Sequence, residues 1–167
     1  ALDWHVEQGR GEQAALIYDS PVTQTRQSFT FRELRDQVAC FAGALTDLGV
    51  GRGDAVIIYM PMIPQTVVAM LACARIGAIH SVVFGGFAPR ELAIRIDDVK
   101  PAVVLTASAG KEVDRVIDYF QIVDTAFQQV KHVPSNCVIY QRDFHPVELC
   151  PGRDLDWEQL ANSASPV

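Results

Sequence analysis

Apolar and polar positions along the chain change period several times, and each change marks an element. Residues 2–8 make a short helical start that Gly9-Arg10-Gly11 closes. Ala14 to Tyr18 and Gln27 to Phe29 read as strands joined by a polar turn with Pro21 and Thr23. They predict a β-hairpin that, with the first helix, forms a cover over residues 1–30. Thr30-Phe31-Arg32-Glu33 has capping-box spacing, and Phe31, Leu34, Val38, Phe41, Leu45 and Leu48 follow on one helical face until Gly49 ends it. Ala55 to Tyr59 is a buried strand, and Pro61 and Pro64 lead into a helix from about Ile63 to Ile76. That helix is nearly all apolar and carries one charge, Arg75, so it is expected to be covered on most sides. His80 to Phe84 is short, β-branched and uncharged, the pattern of a strand buried on both faces, and Gly85-Gly86 follows it directly.

Beyond the glycines, Pro89 to Val99 predicts a helix with Leu92, Ile96 and Val99 inward. Ala102 to Thr106 predicts a strand, Val113 to Val130 a longer helix, and Cys137 to Gln141 a last strand. Pro146 to Gly152 reads as loop and Leu155 to Ala161 as a short terminal helix. Strands and helices alternate over residues 55–141. The fold class is therefore α/β: a mostly parallel sheet with helices on both faces and right-handed crossovers, preceded by a short N-terminal hairpin, in one domain spanning 1–167. No internal repeat or low-complexity tract interrupts it.

Composition narrows the function classes. Of the 167 residues 49% are hydrophobic and 20% charged, as in an ordinary globular domain, and the net charge of −6 argues against a broad nucleic-acid surface. The 14 Lys and Arg are scattered, which argues against polybasic membrane binding, and residues 1–10 have no apolar core like that of a secretory signal. Cys40, Cys73, Cys137 and Cys150 show no CxxC spacing and read as free, buried thiols; zinc is not expected. A reduced location follows, the cytoplasm, or the mitochondrial matrix in a eukaryotic source.

Two segments stand out as candidate sites. The turn Phe84, Gly85, Gly86 and Phe87 lies at the carboxyl end of a buried strand, where open α/β sheets bind ligands. Its glycines read either as relief of crowding in a tight connection or as backbone that a ligand approaches without a Cβ in the way. The second, Glu112, Val113, Asp114 and Arg115, follows the strand that ends at Thr106 and is singled out by the chain's resemblance to a known enzyme family. Arg115 offers a planar donor fork suited to phosphate, while Glu112 and Asp114 are equally suited to the start of a helix. His5, His80, His132 and His145 are dispersed without ligand spacing. Asp97 and Asp98 are expected to cap a helix or pair with Arg95, and Arg75 to reach solvent or pair with an acid. No residue reads as catalytic or metal-binding, and no GxSxG, P-loop or HExxH motif is present.

The run PMIPQTVVAMLACARIGAIHSVVFGGF, residues 61–87, resembles the N-terminal region of short-chain acyl-CoA synthetases, the acetyl- and propionyl-CoA synthetase group of adenylate-forming enzymes. The resemblance is collinear from ALDWHVEQG through YDSPV and TFREL to PGRDLDWEQL. It implies a partial N-terminal domain of an AMP-forming ligase. The complete enzyme would convert a short carboxylate, ATP (with Mg) and coenzyme A into acyl-CoA, AMP and pyrophosphate. By the same resemblance Phe84, Gly85, Gly86 and Glu112 to Arg115 contribute a coenzyme A surface. YDSPVT and Glu112 favour a propionate type, and Asp114 departs from the glycine usual in the family. The ATP loop and the catalytic lysine regions have no counterpart here, so the chain is expected to be inactive alone. Its partners would be coenzyme A, a short carboxylate and the rest of a synthetase chain, and the apolar stretch Val67 to Leu71 would favour self-association. A non-catalytic nucleotide- or CoA-binding regulatory module and a truncated product without independent function are the alternatives.

Overall fold

The computed structural model describes all residues, Ala1–Val167. Helix α1 (Leu2–His5) passes through a widened turn at Val6–Arg10, where Gly9 takes φ 75°, into β1 (Ala14–Ser20), which pairs antiparallel with β2 (Thr25–Thr30). Both halves of the capping box start α2 (Phe31–Asp47). The Glu33 N–H donates to Thr30 Oγ1 at 3.2 Å, and the Thr30 N–H donates to Glu33 Oε2 at 2.8 Å. There follow β3 (Ala55–Tyr59), α3 (Pro64–Ile76), β4 (Ile79–Val82), α4 (Pro89–Val99) and β5 (Val103–Ala107). A small hairpin, β6 (Gly110–Lys111) and β7 (Val116–Ile117), precedes α5 (Tyr119–Phe127), β8 (Asn136–Tyr140), β9 (Asp154–Asp156) and α6 (Trp157–Ser163).

Five strands form one parallel sheet in the order β4-β3-β5-β8-β9. Period-two alternation divides each central strand between two cores. Val56 and Ile58 of β3, Val103 and Leu105 of β5, and Val138 of β8 join one core with α2, α3 and Trp157 of α6. Ile57, Tyr59, Val104, Cys137 and Ile139 join the other with α4 and α5. The sheet grows outward from β3 to β4, then reverses across β3 to β5. Crossovers of one hand require α3 and α4 to lie on opposite faces under that reversal, and they do. No helix is long and apolar enough to cross a membrane.

Four expectations are corrected. The segment 113–130 is not one helix: the Glu112 N–H donates to the Arg115 carbonyl at 2.9 Å and closes a turn, and the helix starts at Asp118, whose Oδ1 accepts the Gln121 N–H at 2.8 Å. Glu112 and Asp114 therefore cap no helix. Second, β4 is an edge strand with a neighbour on one side only, and Ile79 and Val82 are exposed. Third, α3 is covered on one side only: Val68, Ala69, Ala72 and Cys73 are buried, Val67, Met70 and Leu71 half-buried, and Ala74 and Arg75 exposed. Fourth, β9 adds a fifth parallel strand that its polar letters, Asp-Leu-Asp, conceal. Buried Asp154 is satisfied by Arg153 Nε at 2.6 Å and by the Cys150 N–H at 2.9 Å, so a carboxylate sits in a strand without an orphaned charge.

Smaller expectations divide. Arg75 does pair with an acid: Nη1 and Nη2 donate to Asp3 Oδ2 and Oδ1 at 2.7 and 2.9 Å, and Nε donates to the Val167 carbonyl. Asp97 accepts the backbone N–H groups of Lys131 and His132 at 2.7 and 2.9 Å, whereas Arg95 pairs with Glu91 and lies over the Phe87 ring. Cys73 and Cys137 are buried free thiols, but Cys40 is half-buried and Cys150 exposed.

Candidate functional site

The order of the parallel strands reverses between β3 and β5, and the carboxyl ends of such strands diverge to leave a crevice. Beyond β3 the chain runs through Met60, Pro61 and Met62; beyond β4 it runs through Val83 to Ala88 before α4. The β6–β7 hairpin projects from the end of β5. These three connections enclose a cavity of about 320 Å³, whose wall includes Pro61, Phe84, Gly85, Gly86, Glu112 and Tyr119. The two segments singled out in the sequence thus meet at one place, 26 residues of chain and a crossover helix apart in the case of Gly86 and Glu112.

Two tyrosines shape the glycine turn. Tyr59 ends β3, and its Oη donates to the Phe87 carbonyl at 2.9 Å and reaches the Gly85 carbonyl at 3.2 Å. Thr106 on β5 holds the Tyr59 carbonyl in turn, through Oγ1 at 2.8 Å. The Tyr119 ring lies 5.0 Å from that of Tyr59, tilted by 42°. A Cβ on Gly85 would fall 1.8 Å from Tyr119 Oη, and one on Gly110 would fall 2.7 Å from Tyr119 Cε2. Gly85 and Gly110 therefore clamp the Tyr119 ring, and relief of crowding is the reason for glycine at 85. Gly86 differs, because its added Cβ would meet only the edge of the exposed Phe84 ring, at 2.5 Å. Neither Gly85 nor Gly86 has a positive φ, so backbone conformation demands glycine at neither position.

Burial, and secondarily Tyr119, pushes the Tyr59 phenol up to about 12, and burial followed by the charge of Glu112 raises that of Tyr119. Both stay neutral at physiological pH, and Tyr59 acts as a donor to carbonyls. Glu112 also marks the boundary of the cavity. On its other side Lys111, Val113, Asp114 and Arg115 line an open groove of about 760 Å³ against Val22 of the β1–β2 turn. Arg115 Nε donates to Glu112 Oε2 at 2.8 Å, and this contact raises the basicity of the guanidinium further. Phe84, Gly85, Gly86 and Glu112 thus line one cavity, while Val113, Asp114 and Arg115 lie round the corner and join it only through Glu112.

The ionisable side chains around the cavity and the groove are Glu112 paired with Arg115, Lys111, Asp114, and the two phenols held neutral, with no nucleophile beside a base. No group of three or more His, Cys, Asp or Glu stands close enough to hold a metal ion. His145 Nε2 lies 3.1 Å from Asp118 Oδ2 at the start of α5, the position of a tether for the 141–149 loop. The sequence reading missed Tyr59 and Tyr119. The available signals were a lone tyrosine closing an aliphatic strand and a tyrosine directly after a capping Asp118.

Comparison with known proteins gives consistent matches. Residues 2–165 match the family model described as AMP-binding enzyme. The chain is 53% identical over 167 residues to human acyl-CoA synthetase short-chain family member 3, mitochondrial, covering 99% of this chain and 24% of that protein. It is 44% identical over 160 residues to propionate–CoA ligase of Escherichia coli, covering 96% of this chain and 25% of that protein. Acetoacetyl-CoA synthetase from Streptomyces lividans superposes with a TM-score of 0.85 at 30% identity, over 99% of this chain and 25% of that one. The chain therefore spans about a quarter of the length of the curated relatives it matches.

Proposed function

The chain belongs to the AMP-binding enzyme family, and on that premise we propose that it is the N-terminal portion of an AMP-forming short-chain acyl-CoA synthetase of propionate type. The complete reaction joins a short carboxylate to ATP with loss of pyrophosphate, and the thiol of coenzyme A then displaces AMP. This portion supplies a coenzyme A surface. The observation that carries the reading is the meeting of Gly85-Gly86 with Glu112 at the reversal of strand order, next to a groove that presents Arg115 and Lys111. In this reading Gly86 is the bare backbone against which the flat part of the ligand lies, because Gly85 is already closed off by Tyr119. Pro61 and Phe84 offer apolar surface, and Arg115, with a fork that can grip two oxygens, takes a phosphate. Val113 and Asp114 shape the turn without filling the cavity.

The binding architecture includes no cluster of acidic or imidazole ligands for magnesium, so no residue here is assigned to it. Buried Cys73 and Cys137 support a reducing location, the cytoplasm or the mitochondrial matrix. Titration calorimetry with coenzyme A tests the reading. We expect saturable binding that Arg115→Ala weakens about tenfold or more, the effect of one charged phosphate contact, and no acyl-CoA formation when ATP and propionate are added. Ligase turnover by this chain, or binding indifferent to Arg115, would overturn the assignment; a module that only binds would also show Arg115-dependent binding of coenzyme A, without belonging to a longer catalytic chain.

A further inference from the structure

We propose that Glu112 is a built-in competitor for the ligand's phosphate: it holds Arg115 in the ligand-free protein and must yield it when a phosphorylated ligand docks. The inference rests on the coenzyme A reading and adds to that site a residue that sets its affinity. Three observations support it. The turn closed by the Glu112 N–H and the Arg115 carbonyl, at 2.9 Å, puts both side chains on one side, where Arg115 Nε meets Glu112 Oε2 at 2.8 Å. Glu112 is also the residue shared by the 320 Å³ cavity and the 760 Å³ groove, so its carboxylate stands at the passage between the two parts of the site. Finally, the turn is electrically self-compensated, since Lys111 and Arg115 (+2) face Glu112 and Asp114 (−2).

An anion approaching this groove meets no net positive charge until one carboxylate moves away. The Glu112–Arg115 pair is well exposed, with 71% of the arginine and 54% of the glutamate side chain accessible, and such pairs are weak. A phosphate forming a forked contact with the same guanidinium is the stronger partner. Glu112 therefore attenuates binding without closing the site. Asp114, one residue from Arg115 and without a cationic partner of its own in the structure, is left to repel the same phosphate and is not the group that holds Arg115.

A double-mutant cycle with coenzyme A, measured by calorimetry on this chain, tests the proposal. Glu112→Gln is expected to tighten binding about two- to fivefold, the value of releasing one exposed ion pair, while thermal unfolding stays unchanged. In the Arg115→Ala background the same substitution is expected to give no gain. Unchanged or weaker binding in Glu112→Gln, or a gain that persists without Arg115, would overturn the competitor role and leave the coenzyme A reading standing. Absence of binding in both folded wild type and Glu112→Gln would remove the coenzyme A reading, and this inference with it.

Discussion

Gly85 and Gly86 are adjacent and identical in letter, yet they answer different demands. Gly85 lies under the Tyr119 hydroxyl, where a methyl would overlap it at 1.8 Å, and Tyr119 cannot retreat because Gly110 holds its opposite edge. Gly86 faces only the exposed edge of the Phe84 ring, 73% accessible. Gly85→Ala should therefore destabilise the protein by about 1–3 kcal/mol, the range for overpacking a filled site, and Gly86→Ala by no more than about 0.5 kcal/mol. Urea denaturation of the two variants compares them directly, and equal losses would refute the division. On the proposed coenzyme A reading, Gly86→Ala carries its effect in ligand binding instead. Tyr59 belongs to the same scale: a phenol pushed up to about 12 by burial, and next by Tyr119, serves as a fixed donor to the turn's carbonyls rather than as an acid.

Elements are joined by a small number of charged clasps. Arg153, held by Asp154 at 2.6 Å and by Asp124 at 2.7 Å, ties β9 to α5 and gives the Pro151-Gly152-Arg153-Asp154 segment its structural task. Arg75 of α3 does the same for the N-terminal helix through the forked contact with Asp3. The Arg75 hydrogen bond lowers the Asp3 carboxyl from 3.8 to about 2. A depressed carboxylate contributes stability fully above its unfolded value and loses it as pH falls through the folded one, so the window runs from about pH 4 down to pH 2. With 42% of the Asp3 side chain accessible, solvent screening limits the contribution to roughly 1 kcal/mol at most. Asp3→Asn should be less stable than wild type by up to that amount at pH 7, and the two should converge near pH 2. Denaturant curves at pH 7, 4 and 2 would show this, and a gap that stays constant with pH would exclude the clasp.

At the scale of the whole molecule, the parallel sheet ends in an unpaired strand. Ile79 and Val82 of β4 are exposed, and Met62 and Phe84 extend the apolar surface at the strand's carboxyl end, with 80% and 73% of each accessible. An uncovered edge with apolar side chains is a template for another chain. The 167-residue chain is expected to self-associate with rising concentration, and Val82→Lys to suppress it, because a charge on an edge strand opposes pairing. Light scattering coupled to size exclusion decides the matter: a monomer at all concentrations would refute it.

The order and kind of most elements were legible in the sequence, because periodicity and end signals are local. Thr30 with Glu33, the apolar face of residues 31–48, the aliphatic run Ala55–Tyr59 and Pro64 at the first helical turn each act through neighbours within a few residues. The likeness to acyl-CoA synthetases was legible too, and it drew attention to Glu112 to Arg115, whereas the glycine turn was legible from the strand that precedes it. What local pattern could not carry was placement. His80 to Phe84 has the letters of a central strand, but only the strand order makes β4 an edge. Val113 to Val130 has helix-forming letters, but the pairing of β6 with β7 takes its first residues into a turn. The reason for Gly85 depends on Tyr119, brought against it by a crossover and a sheet. The sequence by itself determined most of the elements, the α/β class and the family, since those depend on short-range patterning and collinear identity. Only the tertiary structure decided which faces are covered and that Gly86 and Glu112 share one cavity, because burial and proximity are properties of the packed chain.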